Sequence, residues 1–205
     1  CASLNRAFAS EGIAPVSPDR VRKLIARGAR EVVEQVVLGS GRDGHEIDAL
    51  RQLFLAEYSA HPVENTVVYP GVTQVLENYQ AAGARLGICT NKPEKTAYPV
   101  LQALGLIDYF PTIVCGDTLA HNKPDPRHVH EVINRLGGDI KDAVFVGDSE
   151  VDLAAARNAG LPIVMVSYGY AMASPETLGA DILINHFADL PAAVDKLMAA
   201  KRNTG

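Results

Sequence analysis

Val144-Phe145-Val146-Gly147-Asp148-Ser149-Glu150-Val151-Asp152 is an apolar run of strand length that stops at a glycine and passes at once to acidic residues. Asp148 and Asp152 are four apart, so if a helix begins at Ser149 both carboxylates lie at its first turn. Two anions held that close repel, and burying them requires a cation or a shared proton. Oxygen donors at this spacing suit a hard divalent ion, Mg2+ above all. The bare pair is equally compatible with two carboxylates that only cap a helix and favour the positive end of its dipole.

Outward from this stretch, residues 63–205 alternate strand-like and helix-like segments. The patterns predict helices over 70–80, 94–104, 126–136, 150–159 and 190–199, and strands over 85–89, 112–115, 143–146, 162–166 and 181–184. Such alternation argues for an α/β fold with a mostly parallel sheet covered on both faces. Residues 1–62 read differently. Leu4, Phe8 and Ile13, then Val21, Leu24 and Ile25, recur at helical spacing, and 29–38 and 47–58 continue it. Gly and Pro punctuate these segments, as short connections in a small helical bundle require.

With 205 residues, the chain is long enough for one sizeable core, or a core with a small accessory domain. Its 47% hydrophobic and 21% charged residues are those of an ordinary globular protein. A net charge of -5 without a Lys/Arg cluster argues against nucleic acid or an anionic membrane as partner. The longest apolar runs, such as 161–166, are too short to span a bilayer. No charged segment followed by an apolar one opens the chain, so a cytoplasmic location is expected. Cys1, Cys89 and Cys115 show no C-x-x-C spacing, and Cys89 and Cys115, at the ends of apolar runs, read as buried reduced thiols. His128 and His130, two apart on a predicted helix, face different ways and read as solvated side chains rather than a metal pair.

Ligands of open parallel sheets collect where strands end. After the strand at 85–89 comes Thr90-Asn91-Lys92-Pro93, a hydroxyl and an amide at a helix entrance whose free N–H groups would suit an anion. Beyond 112–115 come Gly116-Asp117 and then Lys123-Pro124, and after 143–146 the acidic pair. Taken singly, Thr90-Asn91 could be a cap and Lys123 a loop lysine. In order at successive strand ends, a hydroxyl, a lysine and a metal-type carboxylate are what phosphate handling requires.

At these residues the chain resembles the haloacid dehalogenase superfamily in its phosphatase branch, and phosphoglycolate phosphatases in particular. Gly87-Ile88-Cys89-Thr90-Asn91-Lys92, Lys123-Pro124 and Gly147-Asp148-Ser149-Glu150-Val151-Asp152 carry the resemblance. It implies a Rossmann-like parallel-sheet core over 63–205 with a helical cap over 1–62, where Arg27-Gly28-Ala29 stands at a substrate-binding turn. It also implies Mg2+, a small phosphorylated metabolite as partner, and these roles: Thr90 and Asn91 (backbone and side chain) bind the phosphoryl oxygens, with Thr90 and Lys123 catalytic. Lys123 neutralises charge, Asp148 ligates the metal, and Asp152 holds the metal's water shell or orients Lys123. Ser149 could cap the helix, and Ser167, Tyr168 and Gly169 read as packing residues of a flanking loop. Dehalogenases of the superfamily need no metal and lack the acidic pair, so the pair favours phosphate over halide chemistry.

In the family the core opens with a strand ending in an aspartate nucleophile, with a second aspartate two positions on as acid and base. Cys1-Ala2-Ser3-Leu4-Asn5-Arg6 resembles the first cap helix instead. The expectation is therefore that the nucleophile strand lies upstream of Cys1 and inserts between the strands ending at Thr90 and Asp148. The resemblance leaves two other functions open, a phosphomutase of sugar phosphates and a noncatalytic protein that binds a phosphorylated ligand.

Overall fold

The computed structural model describes residues 1–25 and 29–204. Four helices come first, α1 (Ala2–Ala9), α2 (Pro18–Ile25), α3 (Ala29–Gly39) and α4 (Ile47–Ala60). Their apolar stripes close on one another, with Leu4, Phe8, Val33, Val37, Leu50 and Phe54 among the buried members of one cluster. Helical periodicity alone explains this, because each stripe must be covered by a neighbour.

The remainder alternates as α5 (Val72–Ala81), β1 (Gly87–Cys89), α6 (Glu94–Ala103), β2 (Thr112–Val114), α7 (Pro126–Arg135), β3 (Phe145–Gly147), α8 (Glu150–Asn158), β4 (Ile163–Val166), β5 (Ile182–Ile184) and α9 (Leu190–Thr204). Every pairing is parallel. In β4 all four residues are buried, and the period of two splits them between the faces. Ile163 and Met165 pack with Val129 of α7 and Ala155 and Ala156 of α8. Val164 and Val166 pack with Val75 of α5 and Leu190 of α9. Helices thus cover both faces, the mixed α/β architecture expected of a Rossmann-like core.

Three local differences from the predicted elements have physical causes. The strands form two sheets rather than one, β1-β2 and β3-β4-β5. No described strand bridges β1 and β3, so each keeps one unpaired edge, although Cys89 and Phe145 from the two strands share an apolar cluster. Strand β3 starts at Phe145 rather than 143, because the Ala143 N–H bonds Ile140 O in a tight turn while the Phe145 N–H bonds Pro162 O. His128 is not solvated: it is 0% exposed, beside buried Val129 and Val132 on α7's inner face, whereas His130 is exposed.

Candidate phosphoryl site

The start of α8 organises the acidic pair. Ser149 is its N-cap, and the cap is reciprocal: the Ser149 hydroxyl accepts from the Asp152 N–H and stands 2.7 Å from Asp152 Oδ2, to which it can donate. The Asp148 N–H donates to the same oxygen at 3.1 Å, and Lys123 Nζ donates to Oδ1 at 2.7 Å. Asp152, 6% exposed, therefore has both oxygens engaged. Burial alone would push its carboxyl up, but the Lys123 ammonium, helped by Ser149 and the Asp148 N–H, holds it below the usual range. Among the described residues Asp148 has no direct ion-pair partner. Burial, then the Asp152 charge, pushes it up to about 6, although the Tyr170 main-chain N–H donates to its Oδ2 at 3.1 Å.

Lys123 is braced from two sides. Its N–H donates to Asn91 Oδ1 at 2.9 Å and its carbonyl accepts from Asn91 Nδ2 at 3.0 Å. His128 Nδ1 lies 3.3 Å from the same N–H, and Nε2 lies 3.1 Å from Cys115 O. Because a carbonyl only accepts, the proton belongs on Nε2 and leaves the Nδ1 lone pair toward Lys123. Burial holds this imidazole's pKa below its ordinary value.

The Thr90 N–H continues β1 by bonding Val114 O, and its hydroxyl accepts from the Lys92 N–H at 3.1 Å. Two details differ from the expected phosphate cradle. The entrance of α6 is already occupied, since Asp117 Oδ1 accepts the Glu94 N–H at 2.8 Å. The Asn91 side chain spends its carbonyl and one amide hydrogen on Lys123, which leaves its second amide hydrogen and its main-chain N–H, neither with an acceptor among the described residues, as donors beside Thr90. Arg27 lies outside the described residues.

A loop after β4 closes the other wall. Glu150 Oε1 accepts the N–H groups of Met172 and Ala173, both at 2.8 Å, and these bonds hold its carboxyl low despite partial burial. Gly169 packs as expected, and packs directly on Asp148 of the acidic pair: a Cβ there would stand 2.2 Å from Asp148 Cβ, so the close approach admits glycine alone. A cleft of about 260 Å³ results, bounded by Tyr69, Val72, Val146, Asp148, Tyr168 and Tyr170. Lys123, Asn91 and Thr90 do not line it; Asn91 and Lys123 join it through the hydrogen-bonded chain from Asn91 to Lys123 to Asp152 to Asp148, and Thr90 adjoins Asn91 in the chain.

The helical part reaches this edge twice. Tyr58 of α4 takes Lys92 Nζ over its ring, 4.5 Å from the centroid, and on its hydroxyl at 2.8 Å. Arg22 of α2 lies over the Tyr170 ring, 5.8 Å from its centroid. Sequence reasoning missed Glu150, Tyr170, Tyr58 and Arg22 as residues of this edge. Glu150 was at hand inside the decisive stretch, whereas nothing in spacing relates positions 22, 58, 148 and 170.

A parallel α/β core with an acidic pair and a buried Lys–Asp couple after successive strands defines a class of hydrolase, and sequence comparison agrees. Residues 1–166 match the model of the haloacid dehalogenase-like hydrolases. The chain is 40% identical over 200 residues to a phosphoglycolate phosphatase of Agrobacterium fabrum, covering 96% of this chain and 86% of the relative. It is 39% identical over 207 residues to one of Caulobacter vibrioides, covering 99% and 87%. The crystal structure of a predicted phosphoglycolate phosphatase from Haemophilus somnus superposes with a TM-score of 0.87 at 27% identity, covering 94% of this chain and 88% of that one. The chain belongs to the haloacid dehalogenase-like hydrolase family. It is a phosphoric monoester hydrolase of the phosphoglycolate phosphatase-like kind. Among the described residues, no helix is long and apolar enough to cross a membrane.

Proposed function

We propose that this phosphatase acts with Mg2+ on small phosphomonoesters of the phosphoglycolate type, through an aspartyl-phosphate. The observation that carries this reading is the Lys123 ammonium, 11% exposed and held 2.7 Å from Asp152, whose other oxygen receives the Asp148 N–H. Only one ammonium hydrogen is committed there, so two remain for phosphoryl oxygens. The Thr90 hydroxyl can donate while accepting from Lys92, and the Asn91 N–H, without an acceptor among the described residues, adds a second donor. Charge that develops on the phosphoryl oxygens would meet donors already oriented by Asp152, Asn91 and His128.

The donor set fits a hard cation. Asp148 is a half-buried carboxylate raised by partial burial and a like charge, which a divalent ion would relieve, and it faces the cleft. Among the described residues no group of three or more His, Cys, Asp or Glu side chains is gathered, so Asp148 would hold the ion with water and with ligands from outside that set. Asp152 is saturated and would act by positioning Lys123 and the Asp148 main chain. When bound, Mg2+ supplies neutralisation of the phosphoryl charge.

The nucleophile is a separate requirement. Asp117, Asp148, Glu150 and Asp152 are each engaged as described, and on this reading the attack on phosphorus falls to none of them. The unpaired edges of β1 and β3, with Val146 left 38% exposed, support a strand upstream of Cys1 that seats the nucleophilic aspartate there. Its carboxylate oxygen would bond to phosphorus as the ester P–O bond breaks, the leaving oxygen would take a proton from the second aspartate, and water would open the acyl phosphate. The three unpaired cysteines, two of them raised to about 11 by burial and hence unreactive, favour the cytoplasm as its compartment.

Assay of the complete gene product on 2-phosphoglycolate tests this. Release of phosphate that chelator abolishes and Mg2+ restores, together with an acyl phosphate trapped by hydroxylamine, is expected. Absence of turnover on every small phosphoester ends the reading, and turnover without a trappable acyl phosphate removes the covalent step.

A further inference from the structure

The described arginines of residues 1–62 divide cleanly. Arg6 pairs with Glu57 and Glu64, Arg30 and Arg51 with Asp48, and Arg42 with Glu46, while Arg20 donates to the Gln35 carbonyl. Arg22 differs. Among the described residues it has no carboxylate or carbonyl partner; its guanidinium is exposed and lies over the Tyr170 ring. Tyr170 is the wall that the cleft shares with Asp148, through an N–H that donates to that carboxylate. One aromatic residue therefore sits between the acidic end of the cleft and an uncommitted cation from the helical part.

Among the described residues, two other cations at this edge are spoken for. Lys123 is held by Asp152, and Lys92 is held on the Tyr58 hydroxyl and ring. A phosphoryl group at the Lys123 end would leave Arg22 to face whatever the ester carries at its far end. A guanidinium held over an aromatic ring, with no carboxylate or carbonyl partner among the described residues, keeps its planar fork of N–H donors available, and that fork matches the two oxygens of a carboxylate. A neutral tail offers that fork only what water already offers it, whereas a carboxylate pairs with its charge, so the residue distinguishes tails by charge.

We propose that Arg22 is a specificity-determining residue that receives the carboxylate at the far end of the substrate, so that the site selects short phosphomonoesters bearing an acid tail over neutral ones. This rests on the phosphatase reading above and adds to it the group that recognises the tail. It assigns the helical part a share in substrate choice through one side chain, with Tyr170 as the platform that orients it.

The test compares 2-phosphoglycolate with 2-hydroxyethyl phosphate, its neutral-tailed counterpart, on the complete gene product, on Arg22→Met and on Arg22→Lys. The wild type is expected to favour the acid substrate in kcat/KM. In Arg22→Met that preference falls about 10- to 100-fold, the scale of losing a charge-assisted hydrogen-bond pair, and it appears mainly in KM. Arg22→Lys keeps the charge without the fork and falls between the two. A preference unchanged in Arg22→Met overturns the proposal, whether or not both rates drop, and so does a wild type without any preference. Failure of the wild type to hydrolyse either ester would instead sink the phosphatase reading, so the two failures are separable.

Discussion

Asp152 concentrates the electrostatics of this site, because a carboxylate 6% exposed is tolerated only while Lys123 lies 2.7 Å away. Removing one member of a buried pair leaves the other uncompensated, so Lys123→Ala should destabilise by roughly 3–5 kcal/mol in urea unfolding. It should also lower turnover at least about 100-fold, as loss of a transition-state cation does. Adding Asp152→Asn should recover much of the stability and none of the turnover. Equal recovery of both would mean that Lys123 acts only as a structural cation. His128 carries a pH signature. Burial lowers its folded pKa below the ordinary 6.5, so as pH falls through about 6.5 the unfolded chain takes up the proton first and stability declines. Asp148, raised to about 6 from 3.8, has the opposite sign, with stability declining as pH rises across that window. The difference between wild type and His128→Gln in melting temperature from pH 5 to 8 isolates the histidine, and the wild type should lose more on acidification. A variant that parallels the wild type throughout would assign the slope to other groups.

At the scale of elements, α8 and the loop after β4 are one device. Glu150 Oε1 holds Met172 N–H and Ala173 N–H, and Asp148 Oδ2 holds the Tyr170 N–H, so one turn of helix clamps the loop at three amides. Gly169 sits at the tightest point. Gly169→Ala has to displace either the loop or Asp148, given a Cβ 2.2 Å from its Cβ. Turnover should fall more than about tenfold, in line with the sensitivity of positioned groups to small displacements. The amides of Tyr170, Met172 and Ala173 should also exchange faster with solvent, and unchanged protection there would show that the loop is not held as described. Much of α8 was legible beforehand: an apolar run, a glycine, and Ser149 three residues before Asp152 announce a capped helix. The clamp was not, because a glutamate in a first turn reads equally well as a charge beside the helix dipole.

Across the whole molecule, buried apolar residues fall into separate clusters. That of α1–α4 draws its buried members from residues 4–54, and the β3-β4-β5 sheet is packed on both faces by others. Leu50, 2% exposed, belongs to the first cluster alone. Leu50→Ala should cost about 2–5 kcal/mol, and exchange should rise in α1–α4 well before β4. Uniform loss of protection over both parts would show one cooperative unit instead. The two parts meet at the site edge through Tyr58 with Lys92 and Arg22 with Tyr170, so damage to the helical cluster should also weaken substrate binding.

The amino-acid sequence by itself determined the α/β class, the helical character of the first sixty residues, and the order in which Thr90, Lys123 and Asp148 follow their strands. Period and spacing are local properties, and local sterics enforce them. Tertiary structure alone decided that Asn91 grips Lys123 rather than standing open, that His128 is buried, that the strands part into two sheets, and that Tyr170 joins Asp148 to Arg22. Those outcomes depend on which donors and rings the folded backbone brings together from distant positions. Hydrogen-bond geometry and close packing act over a few ångströms, and only the finished chain path sets those distances.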